Sequence, residues 1–297
     1  MPFASINEAD IYYEVIGDRG PWVVAMSGGR HPLSEIEELT TAIAARGFRV
    51  IVHDRRNCGR SSLHFDASRS EEDLWADDLH GLLDRLRVRS AFVVGKSRTV
   101  RVAIRFAMRY PHQTRGLGLW GISGGAAAAR FLEDYYYGKY IRLCQEQGMH
   151  AVCGLDHFAG LVAAKPENRD RLLAVDPSGF LAAMTSWRLL FLENLTMPVM
   201  GFTDDALGTV SVPTAIVPYC DRLHPRASAL HALHAIPGAR LFDVDPDRTD
   251  SLEITPDDVS RDSPIVAALL CDFASSLRWW RPEKFFASWR RMVGSAR

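Results

Sequence analysis

An α/β fold, with a mostly parallel central sheet flanked by helices, is predicted by two observations. Short apolar runs alternate with helical segments before residue 120 and again after residue 209, the pattern of βαβ units. Between them, over residues 121–208, strand-like runs vanish and helical segments rich in Tyr, Phe, Leu and Ala take over. The expected organisation is one core made of residues 1–120 and 209–297, with residues 121–208 inserted as a helical cap. A chain of 297 residues with 47% hydrophobic content can bury a core of that size.

Residues 9–15 alternate apolar and polar, as a half-buried strand does, and 22–26 form a continuous apolar run suited to an interior strand. A helix is predicted over 34–45, a strand over 48–53, a helix over 71–86 and a strand over 91–94. The next helix, 98–110, stops at Pro111, as expected for a proline just past a helix end, and 117–120 reads as a strand. The insertion carries helical patterns at 131–147, 150–164 and 177–191. Strand 212–218, helix 226–234, strand 240–244 and helix 264–277 complete the core. Beyond them Trp279, Trp280, Phe285, Phe286 and Trp289 form a tail too apolar to leave in water. It reads as docking on the chain's own surface, with a homodimer contact as the alternative.

A formal net charge of −1 argues against general nucleic-acid binding and carries no membrane-surface signal. No apolar stretch approaches the roughly 20 residues needed to span a bilayer. The first residues lack a charged-then-apolar signal pattern, so a cytoplasmic location is expected. Five scattered cysteines have no metal-ligand spacing and read as reduced thiols. Nor is there a phosphate-cradling glycine loop, so no metal or cofactor is expected, and a small-molecule substrate is.

The chemistry-bearing motifs come in a definite order. Ser27-Gly28-Gly29 follows the run at 22–26, and Asp54-Arg55-Arg56-Asn57-Cys58-Gly59-Arg60-Ser61-Ser62 follows the strand at 48–53. Gly95-Lys96-Ser97-Arg98-Thr99 ends one apolar run and opens a helix at once. Such a strand-to-helix turn, with an exposed serine, is a nucleophile elbow. Val212-Pro213-Thr214 then leads to Asp221-Arg222-Leu223-His224-Pro225. In this order the motifs resemble the α/β-hydrolase superfamily over nearly the whole chain. The resemblance implies an α/β-hydrolase fold, with Ser97 as nucleophile and Asp221 as the acid that orients a histidine. It also implies an oxyanion hole from the backbone N–H groups of Gly29 and Arg98.

The departures from that family pattern are specific. The histidine expected after strand 240–244 is missing: the loop reads Asp245-Pro246-Asp247-Arg248-Thr249-Asp250-Ser251-Leu252, and no histidine follows His234. Thr99 and Asn57 stand where the family prefers glycine. A serine hydroxyl is a weak nucleophile without a base, and three histidines on pocket-bordering loops are candidates: His224, His31 and His64. Taken singly, each reads first as a loop histidine making local hydrogen bonds.

Arg98 follows the nucleophile at a position whose side chain often lines the pocket in relatives, where guanidinium could recognise an anionic substrate group. The alternative is an ion pair with Asp54, Asp221, Asp245 or Asp247. Lys96 reads as structural. Among the aromatic residues of the cap, Tyr136, Phe158 and Trp187 are expected to touch substrate, which suits a mostly apolar cavity and an aromatic guest. Two functions follow. One is a hydrolase-like enzyme acting on an ester, a thioester or a carbon–carbon bond beside a carbonyl, through a degenerate triad. The other is a cofactor-free lyase, isomerase, cyclase or small-molecule binding protein on the same scaffold.

Overall fold

In the computed structural model, which describes residues 3–193, 195–250 and 255–277, one sheet contains β1 (Phe3–Ile6), β2 (Ala9–Ile16), β3 (Trp22–Met26), β4 (Arg49–His53), β5 (Ala91–Lys96), β6 (Thr114–Trp120), β7 (Thr214–Val217) and β8 (Arg240–Leu241). Their order is β1-β2-β4-β3-β5-β6-β7-β8. β2 pairs antiparallel with both β1 and β4, and every other pairing is parallel. β1 is an addition to the sequence expectation. Positive φ at Asn7 (45°) and Glu8 (65°) closes the two-residue turn that a tight hairpin needs.

Helices α1 (Glu37–Ala45), α2 (Glu71–Arg85) and α3 (Arg98–Arg109) link the early strands. Between β6 and β7 run α4 (Ala126–Glu133), a π-helical turn (Asp134–Gly138), α5 (Lys139–Val152), α6 (Asp156–Ala164), α7 (Glu167–Leu173), α8 (Pro177–Leu192) and α9 (Asp204–Gly208). Helices α10 (Arg226–Ala235) and α11 (Pro256–Ser276) follow β7 and β8. The strands' two-residue period sorts the core into two layers. Val23 and Ala25 face α1 and α11, whereas Val24 and Met26 face α2 and α3. The β6–β7 helices bury a separate aromatic-rich cluster of their own. Among the described residues, no helix is long and apolar enough to cross a membrane.

Of the boundaries that differ from expectation, two have identifiable reasons. The last helix begins at Pro256, not at residue 264, because Thr255 and Asp258 form a reciprocal capping box with Pro256 in the first turn. Pro264 then sits inside α11, where the neighbouring Ser263 hydroxyl donates to the Val259 carbonyl at 2.7 Å. β8 is only two residues long because pairing with β7 stops at Leu241. α5 carries a break at Gly148 (φ 72°), next to the predicted end at residue 147. The aromatic tail from Trp279 to Trp289 lies outside the described residues, as do Ser251 and Leu252.

Candidate active site

The β5–α3 turn has the strained form that a serine elbow requires. Ser97 adopts φ 53° and ψ −119°, a region costing a non-glycine residue of order 1–3 kcal/mol. Neighbouring contacts hold it there. The Ser97 N–H donates to the Trp120 carbonyl at 2.8 Å. A Cβ at Gly95 would come within 2.4 Å of the Thr99 carbonyl oxygen, so only glycine lets α3 start this close to β5. Thr99, the departure from the family's glycine, contributes a fastening: its hydroxyl accepts the Lys96 N–H at 2.9 Å and lies 3.1 Å from the Met26 carbonyl.

Opposite Ser97, the loop after β7 carries both an acid and an imidazole. Ser97 Oγ lies 2.7 Å from His224 Nε2, and His224 Nδ1 lies 2.9 and 3.1 Å from the two Asp221 carboxylate oxygens. A tight turn builds this pair, with reciprocal backbone bonds between residues 221 and 224. The N–H groups of Leu223 and His224 each donate to Asp221 Oδ1 at 2.8 Å. Burial pushes the Asp221 carboxyl up, but the His224 ring and these two N–H groups outweigh it and hold it below its usual value. It therefore faces Nδ1 as a carboxylate, which favours the tautomer with Nδ1–H directed at Asp221 and Nε2 free to accept the serine proton.

The family's usual histidine loop, after β8, is committed elsewhere. Arg226 ties it down through the Asp243 carboxylate and the carbonyls of Asp245 (3.0 Å) and Pro246 (3.2 Å). Arg248 pairs with buried Asp262 at 2.8 Å.

The loop after β3 supplies the other wall. Its 28–31 turn closes with His31 N–H on the Gly28 carbonyl at 3.1 Å, and the Ser27 hydroxyl donates to the His31 carbonyl at 2.9 Å. Gly29 takes φ 45°. The fully buried Arg55 guanidinium gathers the carbonyls of Ser27, Gly29 (3.1 Å) and His31 (3.2 Å) from behind. Glu35 accepts the Gly28 N–H at 3.1 Å and pairs with Lys96. A Cβ at Gly28 would sit 3.4 Å from the Ser97 Cβ, so this loop passes directly beside Ser97. The N–H of Gly29 and that of Arg98, in the first turn of α3, make no hydrogen bond to the described residues.

Together these elements enclose a cavity of about 630 Å³ that contains Ser97, Asp221 and His224, with Phe131, Leu132, Tyr135 and Tyr136 on the β6–β7 side. The opening residues of α11, from Thr255 to Ser260, complete its rim.

No family model matches the chain. Among curated proteins it is 33% identical over 110 residues to a 2-hydroxymuconate semialdehyde hydrolase of a Pseudomonas species (37% of this chain, 36% of that protein). It is 33% identical over 105 residues to a bifunctional esterase/perhydrolase of Acinetobacter calcoaceticus (35% and 37%). These matches span well under half of either relative. Solved structures align over nearly the whole chain. A Pseudomonas aeruginosa hydrolase gives a TM-score of 0.64 at 20% identity, covering 92% of this chain and 98% of that one. The enol-lactonase of Burkholderia xenovorans gives 0.61 at 18%, covering 93% and 100%. The chain has the α/β-hydrolase fold.

Within this fold, several side chains named from sequence lie away from the cavity. Arg98 is turned inward and buried against Glu71 (2.7 Å) and Glu72 (3.0 Å). Those acids open α2, which packs along α3; neither was among the partners expected. Arg98 is thus no substrate anchor, because two carboxylates and the Tyr137 hydroxyl already hold its guanidinium. Phe158 and Trp187 are corrected likewise. Both pack inside the β6–β7 cluster, and the Trp187 indole N–H is spent on the carbonyls of Asp66 and Arg69 at 3.0 and 2.9 Å.

His64 belongs to the back of the Asp54–Ser62 loop. There its backbone pairs with the Asn57 side chain at 2.8 and 2.9 Å, and it borders a separate groove with Asn7 and Arg56. Asn57 itself takes φ 62°, a conformation asparagine tolerates. His31 lines the cavity, but its ring makes no bond to Ser97. Tyr136 lines both this cavity and a smaller neighbour of about 310 Å³.

Sequence reasoning missed Arg55, Glu35 and Tyr219. Tyr219 packs between Trp120 and the His224 ring in tilted contacts, each 5.3 Å away centre to centre. Its position two residues before Asp221 was the available signal.

Proposed function

We propose that this chain is a serine hydrolase acting on an ester, thioester or related acyl bond beside a carbonyl. Ser97 is its nucleophile, His224 its base and Asp221 its orienting acid. The observation that carries this reading is the 2.7 Å contact between Ser97 Oγ and His224 Nε2, with Asp221 behind the ring. Reach of about 2.6–3.2 Å is what proton transfer needs. His224 takes the Ser97 proton as Oγ attacks the carbonyl carbon. The resulting oxyanion meets the N–H groups of Gly29 and Arg98. The His224 imidazolium then protonates the leaving group, and the C–O or C–S bond breaks to leave acyl-Ser97. Water, deprotonated by His224, attacks the acyl carbon and releases the acid while the proton returns to Ser97.

The triad of this proposal is complete, with acid and base sharing one turn. That removes the reason to prefer a non-hydrolytic reading. The β6–β7 helices act as the cap, since Phe131, Leu132, Tyr135 and Tyr136 line the cavity that holds Ser97. Their apolar faces suit a medium-sized acyl or aryl group. An anionic substrate is not part of the proposal, because Arg98 is engaged and Lys96 at the cavity wall is paired with Glu35. The names of similar proteins, an esterase/perhydrolase and an enol-lactonase among them, agree with acyl-bond chemistry.

A panel of p-nitrophenyl acetate, butyrate and octanoate tests the proposal. Wild type is expected to turn over at least one of them, and the Ser97→Ala variant none above background. Turnover that survives in Ser97→Ala would sink the assignment.

A further inference from the structure

We propose that the Tyr136 hydroxyl is a catalytic residue of this site: a third donor, carried by the β6–β7 helices, to the oxygen on which negative charge develops. The inference rests on the serine-hydrolase reading and adds a group beyond the triad and the two backbone donors.

Four observations place it. First, a Cβ on Gly29 would come within 3.2 Å of the Tyr136 hydroxyl oxygen. That Cβ position is two bonds from the Gly29 nitrogen, so the phenol sits close beside the Gly29 donor. Second, Tyr136 lines the cavity, and its hydroxyl has no hydrogen-bond partner among the described residues. By contrast, the adjacent Tyr137 hydroxyl is consumed by Arg98 and Glu71. A donor left unpaired beside a nucleophile is available to a substrate oxygen.

Third, the ring is fixed from both sides of the oxyanion hole. Arg98, whose own N–H is one donor, lies with its guanidinium 4.2 Å from the Tyr136 ring centre. Arg30, the residue after Gly29, donates to the Tyr136 carbonyl at 2.9 Å. Preorganised donors cost no reorganisation when charge appears, which is why such groups accelerate acyl transfer. Fourth, the residue sits in the π-helical turn Asp134–Gly138. Single π turns within α-helices are frequent at functional sites, and this one presents Tyr136 to the cavity while Tyr137 locks onto Arg98.

The protonation state agrees with donation. Burial pushes the Tyr136 phenol above its usual value, more than the nearby Arg98 and Arg101 lower it, so the hydroxyl keeps its proton at neutral pH. The Arg98 side chain thereby gains a role that its sequence position did not suggest. It clamps the tyrosine turn over the nucleophile instead of meeting the substrate.

The test is Tyr136→Phe in the full chain, which retains the ring over Arg98 and removes only the hydroxyl. With the best p-nitrophenyl ester as probe, kcat should fall about tenfold to a hundredfold while KM stays within about twofold. This is less than the 10²–10³-fold typical of losing one donor, because two others remain. The rate of phosphonylation by a small fluorophosphonate, whose phosphoryl oxygen occupies the same hole, should fall in parallel. A purely packing role would raise KM or leave both rates unchanged, and either result overturns the proposal. A matching loss in His31→Ala, with Tyr136→Phe behaving as wild type, would move the donor to His31 and overturn it equally. Failure of the underlying reading is distinct: wild type itself would then neither turn over esters nor label at Ser97.

Discussion

Replacing His224 by Ala should lower kcat for p-nitrophenyl ester hydrolysis by at least about 10³-fold, with the protein still folded. The backbone bonds between His224 and Asp221 do not need the imidazole, so the loss should be chemical. Without the ring, Ser97 has no base within hydrogen-bond reach among the described residues, since His31 lines the cavity without touching the hydroxyl. The Ser97→Ala variant should lose a similar amount, and the double variant no more than either single one. Groups that act as one unit are non-additive in this way. Steady-state kinetics on the three variants checks it. Additive losses would mean that His224 and Ser97 act in separate steps.

The second large effect concerns stability. Beneath the site Arg30, Arg98 and Arg101 meet Glu71 and Glu72 across α2, α3 and the Gly29 loop, almost wholly out of water. Removing one partner of such a network leaves a charge stranded, at a cost of about 3–5 kcal/mol. Glu72→Gln should therefore destabilise the chain by about that much at pH 7, read from urea unfolding midpoints. The effect has a pH signature. Burial alone would raise the Glu72 carboxyl, but Arg101, Arg98 and Arg105 overcome it and hold it far below the usual carboxylate range. A depressed carboxyl contributes its stability fully above its unfolded value, about 4.3, and loses it as pH falls toward the folded value. The gap between wild type and Glu72→Gln should accordingly narrow below about pH 4. A gap that is flat, or widens in acid, would contradict this account of Glu72.

The half of the fold that positions Ser97 was legible because its signals are local. An apolar run ending at Gly95 and a helix opening at Arg98 fit the one backbone geometry that lets strand and helix meet so closely. β1 was missed because four residues of alternating burial are too short to stand out from a terminus. α11 was started late because Pro264 resembles a helix opener, whereas the capping box at Thr255 and Asp258 makes the true start.

At the site, Asp221 and Ser97 could be placed by motif, but the base could not. An Asp-x-x-His turn is a common local hydrogen-bonding unit, and only the approach of the β7 loop to the elbow brings Nε2 to Ser97. Arg98 was misread for the opposite reason. Its partners lie at the start of α2, the helix packed alongside α3, and Glu71-Glu72 was readable as a pair of acids opening that helix. The aromatic residues of the β6–β7 segment divide between cavity and interior by helical phase. The π turn shifts that phase at Tyr136, where no composition-based count could follow it.

The central claim is that the Asp221–His224 turn activates Ser97. Its most direct test is intact mass after brief exposure to a small fluorophosphonate, for wild type, Ser97→Ala and His224→Ala side by side. One phosphonyl adduct is expected on wild type, none on Ser97→Ala, and labelling of His224→Ala slowed at least about a hundredfold. Equal labelling of wild type and His224→Ala, or none on wild type, would contradict it.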